Sequence, residues 1–369
     1  MNEYHKALCK AKTVADSLMQ KTFSNVHVEG PSISAEKLNS SPTMAVCSHR
    51  SHLDYILIGI ELNKLGFCNQ RFAAGDNLTN LPYVGSKFKS WGAFTVYRAR
   101  ARNRGYLFQL CNQVIKMLDN GDNIIVFPEG GRSYSGQMME MKYGILAANI
   151  IAQYHSPEKQ YFYLPITISY EKLPELIYFE ILEKGRRLLK QKDGFLQNML
   201  GNAYYFGADI VAFAKFLAAH NVGIHYGEVF IDYKEPVAVN DIVDIKKHYS
   251  TGKQNEFFAH KASIQKVGEE VRTWLRQLYR ILPMHIVAAI LAKSGPCTQS
   301  EIANKIPEIV VALEKENRNC KSFITMSEKE IVEKGIDQLS FSQAITTKAN
   351  KIEIQNIKIL KYFTASLEE

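Results

Sequence analysis

Short apolar runs alternate with amphipathic segments between residues 36 and 240, and this alternation limits the folds open to the chain. Short runs rich in apolar and β-branched side chains are typical of buried strands. Apolar residues spaced three or four positions apart in the intervening segments predict helices. Strands that alternate with helices favour an α/β domain.

The predicted strands cover residues 44–47, 71–74, 93–97, 123–127, 161–169 and 227–233. The predicted helices of this part cover residues 53–65, 106–118 and 143–154. Pro165 lies inside one of the strands, and proline has no backbone N–H to donate. We therefore expect that strand to lie at a sheet edge or to contain a bulge.

Both ends of the chain differ from this central part. Residues 4–19 have helical spacing, so residues 1–35 are predicted to form an N-terminal segment with an amphipathic helix. Beyond residue 240, helical patterns cover 257–279, 282–293, a segment opened by Thr298 and Glu301, and 327–340, whereas 351–359 alternate like one strand. The predicted domains are thus an α/β domain at 36–240 and a smaller, mainly helical domain at 241–369.

Charge and cysteine content restrict the partners and the compartment. The net charge of +8 favours anionic partners, namely nucleic acid, anionic lipid or a phosphorylated substrate. The six cysteines form no C-x-x-C pair, which disfavours a zinc site or disulfide framework and favours a reducing compartment. Neither a signal peptide nor a transmembrane helix is predicted, so any membrane contact is expected to be peripheral.

The segment SHRSHLDY, residues 48–55, places His49 five residues before Asp54, where a strand runs into a helix. A carboxylate beside an imidazole fixes its tautomer and stabilises its cation, which makes a base able to activate an alcohol. Two alternatives stay open at this point. The residues are ordinary polar groups at a helix start, or His49, His52 and Asp54 bind a metal, for which no fourth ligand has a recognisable spacing.

Two further segments are candidates for phosphate binding. VFPEGGRSYSG, residues 126–136, ends an apolar strand in glycines that allow close backbone approach and in Arg132, whose guanidinium binds phosphate in a bidentate manner. Its alternative is a plain turn with a surface arginine. WGAFTVYRARARNRG, residues 91–105, contains four arginines, of which Arg98 comes first; these bind phosphate, face anionic lipid or are simply solvated.

Together these segments resemble the conserved blocks of the glycerol-3-phosphate acyltransferase family, in the same order. SHRSHLDY resembles its His-x4-Asp block, GAFTVYR its second block, FPEGGRS its third and LPITISYEKL its fourth. The resemblance extends over roughly residues 40–369, including GEVFIDYKEP and ILPMHIVAAILAKSG. It implies a glycerolipid-acyltransferase-like mixed sheet flanked by helices.

The resemblance also implies roles for individual residues. His49 is then the general base and Asp54 the residue that orients it. The residues implied to bind substrate are Arg98, Glu129, Gly130, Arg132 and Ser133 at the acceptor phosphate, Pro165 near the acyl-donor path, and Lys142 as a basic residue after the third block.

By this resemblance the protein is expected to move a fatty acyl chain to the sn-1 hydroxyl of glycerol-3-phosphate in phospholipid biosynthesis. The donor is acyl-CoA or acyl carrier protein, whose thioester is a co-substrate; no cofactor or metal is expected. The expected location is the cytoplasmic face of a membrane with an anionic surface. Tyr97 and Tyr134 replace arginines of the family pattern, so dihydroxyacetone phosphate and lysophosphatidic acid stay open as acceptors.

Two other functions are weighed against acyl transfer. The tail from residue 281, with helices followed by a lysine-containing strand, has the pattern of a winged-helix-like nucleic-acid module. Many glutamates balance its lysines, so no nucleic-acid partner is predicted and a scaffold or lid is preferred. A non-catalytic lipid-binding relative is disfavoured because His49 and Asp54 are both present.

Overall fold

The computed structural model describes residues 13, 17, 21–79, 84–100, 103–179, 181–184, 225–245 and 261–367. A mixed sheet lies at its centre, with the strand order β1-β7-β6-β2-β5-β3-β4 and with β8 also paired with β6. Its strands are β1 (Asn25–Glu29), β2 (Thr43–Cys47), β3 (Gln70–Gly75), β4 (Ala93–Val96), β5 (Asn123–Val126), β6 (Phe162–Tyr170), β7 (Glu228–Tyr233) and β8 (Val237–Ala238).

Strand direction decides where the functional loops meet. Strands β6, β2, β5, β3 and β4 are all parallel to their neighbours in that order, whereas β7 runs antiparallel to β6. The carboxyl ends of the parallel strands therefore lie at one edge of the sheet, which is where open α/β sheets bind ligands. The loops after β2 and β5 are neighbours there, because Val46 is in register with Val126.

Helices cover both faces of the sheet. They are α1 (Ala35–Ser40), α2 (Asp54–Lys64), α3 (Asp76–Thr79), α4 (Val84–Ser90), α5 (Arg104–Asp119), α6 (Tyr143–His155), α7 (Val239–Ile242) and α8 (Lys261–Leu278), with 3-10 turns at Arg98–Arg100 and Leu176–Tyr178. Successive side chains of a strand point to opposite faces. Accordingly, Met44 and Val46 belong to the core under α5, α6 and α8, whereas Ala45 and Cys47 belong to the core under α2.

The C-terminal part packs around a further core, to which Leu176, Phe179 and Phe230 of the α/β part also belong. Its helices are α9 (Pro283–Ser294), α10 (Gln299–Ala303), α11 (Ile306–Lys315), α12 (Glu328–Phe341) and α13 (Ile357–Ala365), and the antiparallel hairpin is β9 (Ile345–Lys348) and β10 (Lys351–Ile354). Arg280 joins this part to the sheet through two hydrogen bonds to the buried carboxylate of Asp232, at 2.9 and 2.6 Å.

Most predicted elements are confirmed, but two expectations about the ends of the chain are wrong. Residues 25–29, placed in the helical N-terminal segment, form β1, which is paired in parallel with β7. Residues 351–359 are not one strand: β10 ends at Ile354, and the Asn356 side chain accepts from the N–H groups of Lys358 and Ile359 to begin α13. The predicted helix at 4–19 lies outside the described residues.

Pro165 lies inside the sheet and not at its edge, because β6 has β2 on one side and β7 and β8 on the other. Strand β8 pairs with Phe162 and Tyr163, whereas β7 begins its pairing at Ile166. The proline therefore occupies the interruption between two partner segments, where a missing N–H costs no ladder bond. The edge expectation is therefore wrong, and the alternative expectation, a bulge at Pro165, stays a prediction.

The packing crosses the boundaries predicted for the domains. Helix α8 lies beyond residue 240, yet Val267, Val271 and Leu275 belong to the core of the sheet. Strand β1, before residue 36, is likewise part of the sheet. Otherwise the division at 1–35, 36–240 and 241–369 stays a prediction. Within the described ranges, each helix is too short or too polar to cross a bilayer.

Candidate active site

His49 and Asp54 meet at the carboxyl edge of the sheet. His49 follows the end of β2, and Asp54 is the first residue of α2, so the intervening turn brings the two side chains together. His49 Nδ1 lies 2.9 Å from Asp54 Oδ2, and the two residues are 3% and 0% exposed. The carboxylate accepts the Nδ1 proton and leaves Nε2 as the atom that can take a proton.

Asp54 is held by four donors. Its Oδ2 accepts from His49 and from the backbone N–H groups of Arg50 at 2.6 Å and Ser51 at 2.9 Å. Its Oδ1 accepts from the Tyr170 hydroxyl at 2.6 Å. Burial raises the pKa of Tyr170 well above its usual value, so this hydroxyl keeps the proton that it donates. A carboxylate fixed in this way sets one orientation of the imidazole.

Burial lowers the pKa of His49 to about 4, although the hydrogen bond and charge of Asp54 oppose this shift. The positive charge of Arg132 also favours the neutral imidazole. His49 is therefore neutral at physiological pH, which is the state that a general base requires.

Glu129 ties two segments of the site together. It is fully buried, its Oε1 accepts from the N–H of His49 at 3.1 Å, and its Oε2 accepts from the N–H of Met139 at 2.9 Å. Burial raises the pKa of this carboxyl, against the charge of Arg50. Gly130 follows with a φ of 68°, and a Cβ there would lie 3.1 Å from Lys142 Cγ. The tight turn after β5 thus requires glycine.

Arg132 lies in a buried polar cluster beside the His49 turn. It is 3% exposed, its Nη1 lies 3.6 Å from Glu175 Oε1, and its Nη2 donates to the Tyr134 hydroxyl at 3.2 Å. Glu175 also accepts from Ser51 Oγ at 2.7 Å and from the N–H of His52 at 2.9 Å. The guanidinium, the acid and the His49 turn therefore form one connected network.

Aromatic rings cover the reactive side of His49. The Tyr55 hydroxyl lies 3.2 Å from His49 Nε2. The ring of Phe127 lies 4.4 Å from that of His49 between centroids, and Tyr55 contacts Phe127 at 4.6 Å. The imidazole therefore packs against two aromatic rings, and such apolar neighbours limit the access of water to a reacting group.

The other predicted residues lie at different depths. Ser133 is buried, with its Oγ 3.5 Å from that of Ser135. Lys142 is exposed and its Nζ pairs with Glu140 at 3.1 Å, while Pro165 is buried in β6 in register with Val46. The backbone of Arg98 begins a 3-10 turn after β4, but its side chain lies outside the described part of the structure. The substrate contacts implied for these residues stay predictions.

Sequence reasoning missed several residues of the cluster. Tyr170 lies inside the fourth block, LPITISYEKL, and Glu175 lies two residues after its end, so that block contained a signal that was assigned only to Pro165. Arg50 and Ser51 lie inside the first block; Arg50 Nη1 donates to the carbonyl of Gly136 at 2.7 Å. Tyr55 closes the same block.

The metal alternative receives no support from the geometry. In the parts of the chain that the structure covers, no group of three or more His, Cys, Asp and Glu residues is arranged to hold a metal ion. Asp54 Oδ2 already accepts three hydrogen bonds, including the one from His49. A buried imidazole that donates to a carboxylate in this way is chemically able to take a proton from a hydroxyl.

Comparison with family models agrees with the four motif blocks. Residues 25–169 match the model described as Acyltransferase, and residues 213–360 match that described as glycerol-3-phosphate acyltransferase C-terminal region. The first match contains the His49 turn and the Arg132 loop. The second contains the C-terminal core.

Curated relatives that the chain matches are described as glycerol-3-phosphate acyltransferases. A glycerol-3-phosphate acyltransferase of Xanthomonas axonopodis pv. citri is 33% identical over 198 residues, which cover 54% of this chain and 20% of that protein. One of Actinobacillus pleuropneumoniae serotype 5b is 27% identical over 252 residues, covering 66% of this chain and 30% of that protein. The chain thus matches between a fifth and a third of these relatives' lengths.

Among solved structures, the chain is similar to the 1-acyl-sn-glycerophosphate (LPA) acyltransferase of Thermotoga maritima, with 20% identity and a TM-score of 0.34. That similarity covers 73% of this chain and 78% of the other. Both halves of the chain have matching family models, and the second of these is specific to one enzyme family. We conclude that this chain belongs to the glycerol-3-phosphate acyltransferase family.

Proposed function

We propose that this protein transfers a fatty acyl chain from a thioester, acyl-CoA or acyl carrier protein, to the sn-1 hydroxyl of glycerol-3-phosphate in phospholipid biosynthesis. The observation that carries the proposal is the contact between His49 Nδ1 and Asp54 Oδ2 at 2.9 Å, inside a buried site. The relatives' description as glycerol-3-phosphate acyltransferases supports this acceptor.

In the proposed reaction the acceptor hydroxyl donates to His49 Nε2. The imidazole takes the proton as the oxygen attacks the thioester carbonyl, and Asp54 stabilises the imidazolium that forms. The tetrahedral intermediate then collapses: the carbon–sulfur bond breaks and His49 returns the proton to the departing thiolate. The products are the ester and a free thiol, and His49 is neutral again.

The acceptor phosphate is proposed to bind at Arg132. A guanidinium offers paired donors that match phosphate geometry, and the charge of this one already acts on His49. Glu175 lies at Arg132 in this structure, so phosphate binding requires a shift of that carboxylate or a shared site. Arg98 is the second proposed phosphate ligand, as the family resemblance implies.

An anionic membrane surface, on the cytoplasmic side, is the proposed place of the reaction, since the long acyl chain of the donor and of the product partitions into lipid. Basic side chains are exposed at Lys87 and Lys89 in α4 and at Arg100 and Arg104 after β4, and the exposed ring of Phe108 lies one helical turn beyond Arg104 in α5. Juxtaposed basic and aromatic side chains favour anionic lipid interfaces.

The direct test supplies purified protein with labelled palmitoyl-CoA or palmitoyl-acyl carrier protein and one acceptor at a time. The acceptors are glycerol-3-phosphate, dihydroxyacetone phosphate and lysophosphatidic acid. We expect labelled 1-acyl-glycerol-3-phosphate as the main lipid product. A higher specificity constant for either other acceptor would replace the acceptor proposed here, and no acylated lipid with any of the three would refute the proposal.

The C-terminal part does have helices followed by a hairpin, the order that a winged-helix-like module requires. The exposed side chains of α12 before that hairpin include Glu328, Glu330 and Glu333, and Asp337 pairs with Lys172 at 2.9 Å. An acidic helix is repelled by phosphate backbones. We therefore propose no nucleic-acid partner, and salt-dependent binding to duplex DNA would contradict this.

A further inference from the structure

The hydroxyl of Tyr55 occupies the position that a reacting alcohol needs. Because Nδ1 of His49 donates to Asp54, Nε2 is a hydrogen-bond acceptor, and the Tyr55 O–H donates to it over 3.2 Å. A general base must come within about 2.6–3.2 Å of the oxygen whose proton it removes. A tyrosine of the chain itself therefore holds the catalytic nitrogen when no acceptor is bound.

The tyrosine ring is positioned by its packing. It meets the His49 ring edge-on at 5.1 Å, Phe127 at 4.6 Å and Phe72 at 6.0 Å between centroids. Tyr55 also follows Asp54 directly in α2, so the helix start that places the carboxylate places the hydroxyl too. The residue is half-buried and so is not enclosed in the core.

A general base beside a bound thioester can activate water as well as the acceptor hydroxyl. A water molecule on Nε2 would lose its proton to His49 and attack the thioester carbonyl, and the carbon–sulfur bond would break. The products would be a free fatty acid and a thiol, with the proton returned to the sulfur. Water is always abundant, whereas the acceptor is not, so an acyltransferase needs a means of keeping water from this nitrogen.

We infer that Tyr55 determines specificity for an alcohol over water, by keeping its hydroxyl on His49 Nε2 until the acceptor displaces it. This inference rests on the proposed acyl-transfer function. A phosphorylated acceptor gains binding energy at the guanidinium groups and can displace the tyrosine, whereas water has no such anchor.

The test replaces Tyr55 with Phe, which removes the hydroxyl and keeps the ring. Free thiol release from palmitoyl-CoA is measured without acceptor, and acyl transfer is measured with it. Since a hydrogen bond of this kind is worth a factor of about 2 to 10, thiol release without acceptor should rise about 2- to 10-fold. The Michaelis constant for the acceptor should fall, because no internal hydroxyl competes with it.

Two controls separate this role from a structural one. Tyr233→Phe removes a hydroxyl that donates to the Pro31 carbonyl at 2.9 Å, and its thiol release should equal that of the wild type. Adding His49→Gln to Tyr55→Phe should abolish the extra release, since the water must be activated by the imidazole. Thermal unfolding confirms that each variant is folded.

The outcomes are distinct. If the wild type transfers acyl chains but Tyr55→Phe releases thiol no faster than the wild type, the inference is wrong and the proposed function stands. If Tyr55→Phe loses transfer and gains no hydrolysis, the hydroxyl only positions His49, which also overturns the inference. If the wild type transfers to no acceptor, the proposed function fails and the inference with it.

Discussion

At the scale of single residues, the site depends on how completely Asp54 is fixed. Its two oxygens receive four hydrogen bonds, from one side-chain imidazole, two backbone amides and one phenol. Each donor lies on a segment that is itself buried, so the carboxylate has no freedom to leave His49. The orientation of the base is thus an outcome of the fold around residues 49–54.

Asp54→Asn tests this orientation. The side-chain amide of asparagine has one NH2 group in place of a carboxylate oxygen. If the NH2 group faces His49, the imidazole must change its tautomer to accept from it. If it faces the backbone N–H groups, donor meets donor and the imidazole is misplaced. In a serine protease the same exchange lowers kcat by about four orders of magnitude. We expect a loss of at least about a hundredfold in kcat with little change in the Michaelis constants, measured by steady-state kinetics; wild-type turnover would contradict the role of Asp54.

Arg132→Lys tests the phosphate site while keeping the positive charge beside Glu175. An ammonium cannot reproduce the bidentate fork, so the Michaelis constant for the acceptor should rise about tenfold or more. The Michaelis constant for the thioester donor should not change. Arg276→Lys, at an arginine that pairs with Glu316 outside the site, is the matched control. Equal effects on donor and acceptor would refute the assignment.

The sequence predicted those site residues that lie within one local motif. His49, Asp54 and Arg132 were predicted because each sits in a short segment whose chemistry is recognisable. Tyr170 and Glu175 were not, since their partners Asp54 and Ser51 are 116 and 124 positions away. Contacts over such distances depend on which strands become neighbours, and a single sequence does not reveal strand order.

At the scale of elements, the loop between β5 and α6 is fixed by the C-terminal helix. Ser366 Oγ donates to the carbonyl of Gly136 at 3.2 Å, and Arg50 donates to the same oxygen at 2.7 Å. A Cβ on Gly136 would lie 1.8 Å from the carbonyl oxygen of Tyr362. The loop that contains Arg132 therefore depends on α13 for its position.

Gly136→Ala should therefore destabilise the protein and weaken catalysis. Gly121→Ala is a matched control, because Gly121 has a similar φ of 80° and open space around its Cβ position. Both variants suffer the strain of left-handed backbone, which costs about 1 kcal/mol. Only Gly136→Ala meets a backbone clash, so its melting temperature should fall well below that of the control; equal melting temperatures would show that the contact is unimportant.

Regular elements were predictable where the periodicity was local, as for α5 and β5. The hairpin formed by β9 and β10 was not predictable, because it turns at Ala349 and Asn350, which both have a positive φ. Such turns are usually marked by Asn-Gly, and Ala-Asn is no clear signal. Strand β1 was missed because its partner β7 lies about two hundred residues later.

At the scale of the whole molecule, two buried histidines link stability to pH. Burial lowers the pKa of His49 to about 4 and that of His285 to about 3, in the latter case aided by the charge of Arg50. The unfolded chain binds protons at both histidines below about pH 6.5, whereas the folded chain does not. The free energy of unfolding should therefore rise with pH between the pKa values of the folded protein and about pH 6.5.

Denaturant unfolding between pH 7 and pH 4 measures this effect. Each histidine should lower the free energy of unfolding by up to about 1.4 kcal/mol per pH unit below 6.5, until the pH reaches its folded pKa. His285→Gln removes one of the two groups and should reduce the slope. If the free energy of unfolding of that variant depends on pH as steeply as that of the wild type, His285 has the same pKa in the folded and the unfolded protein.

The proposed function depends above all on His49 acting as the base that activates the acceptor. It is tested most directly by the rate of acyl transfer from palmitoyl-CoA to glycerol-3-phosphate in His49→Gln, beside His52→Gln as a control three residues away. We expect a loss of about a hundredfold or more for His49→Gln and of less than about tenfold for His52→Gln, with both proteins folded. Transfer by His49→Gln at the wild-type rate would contradict it.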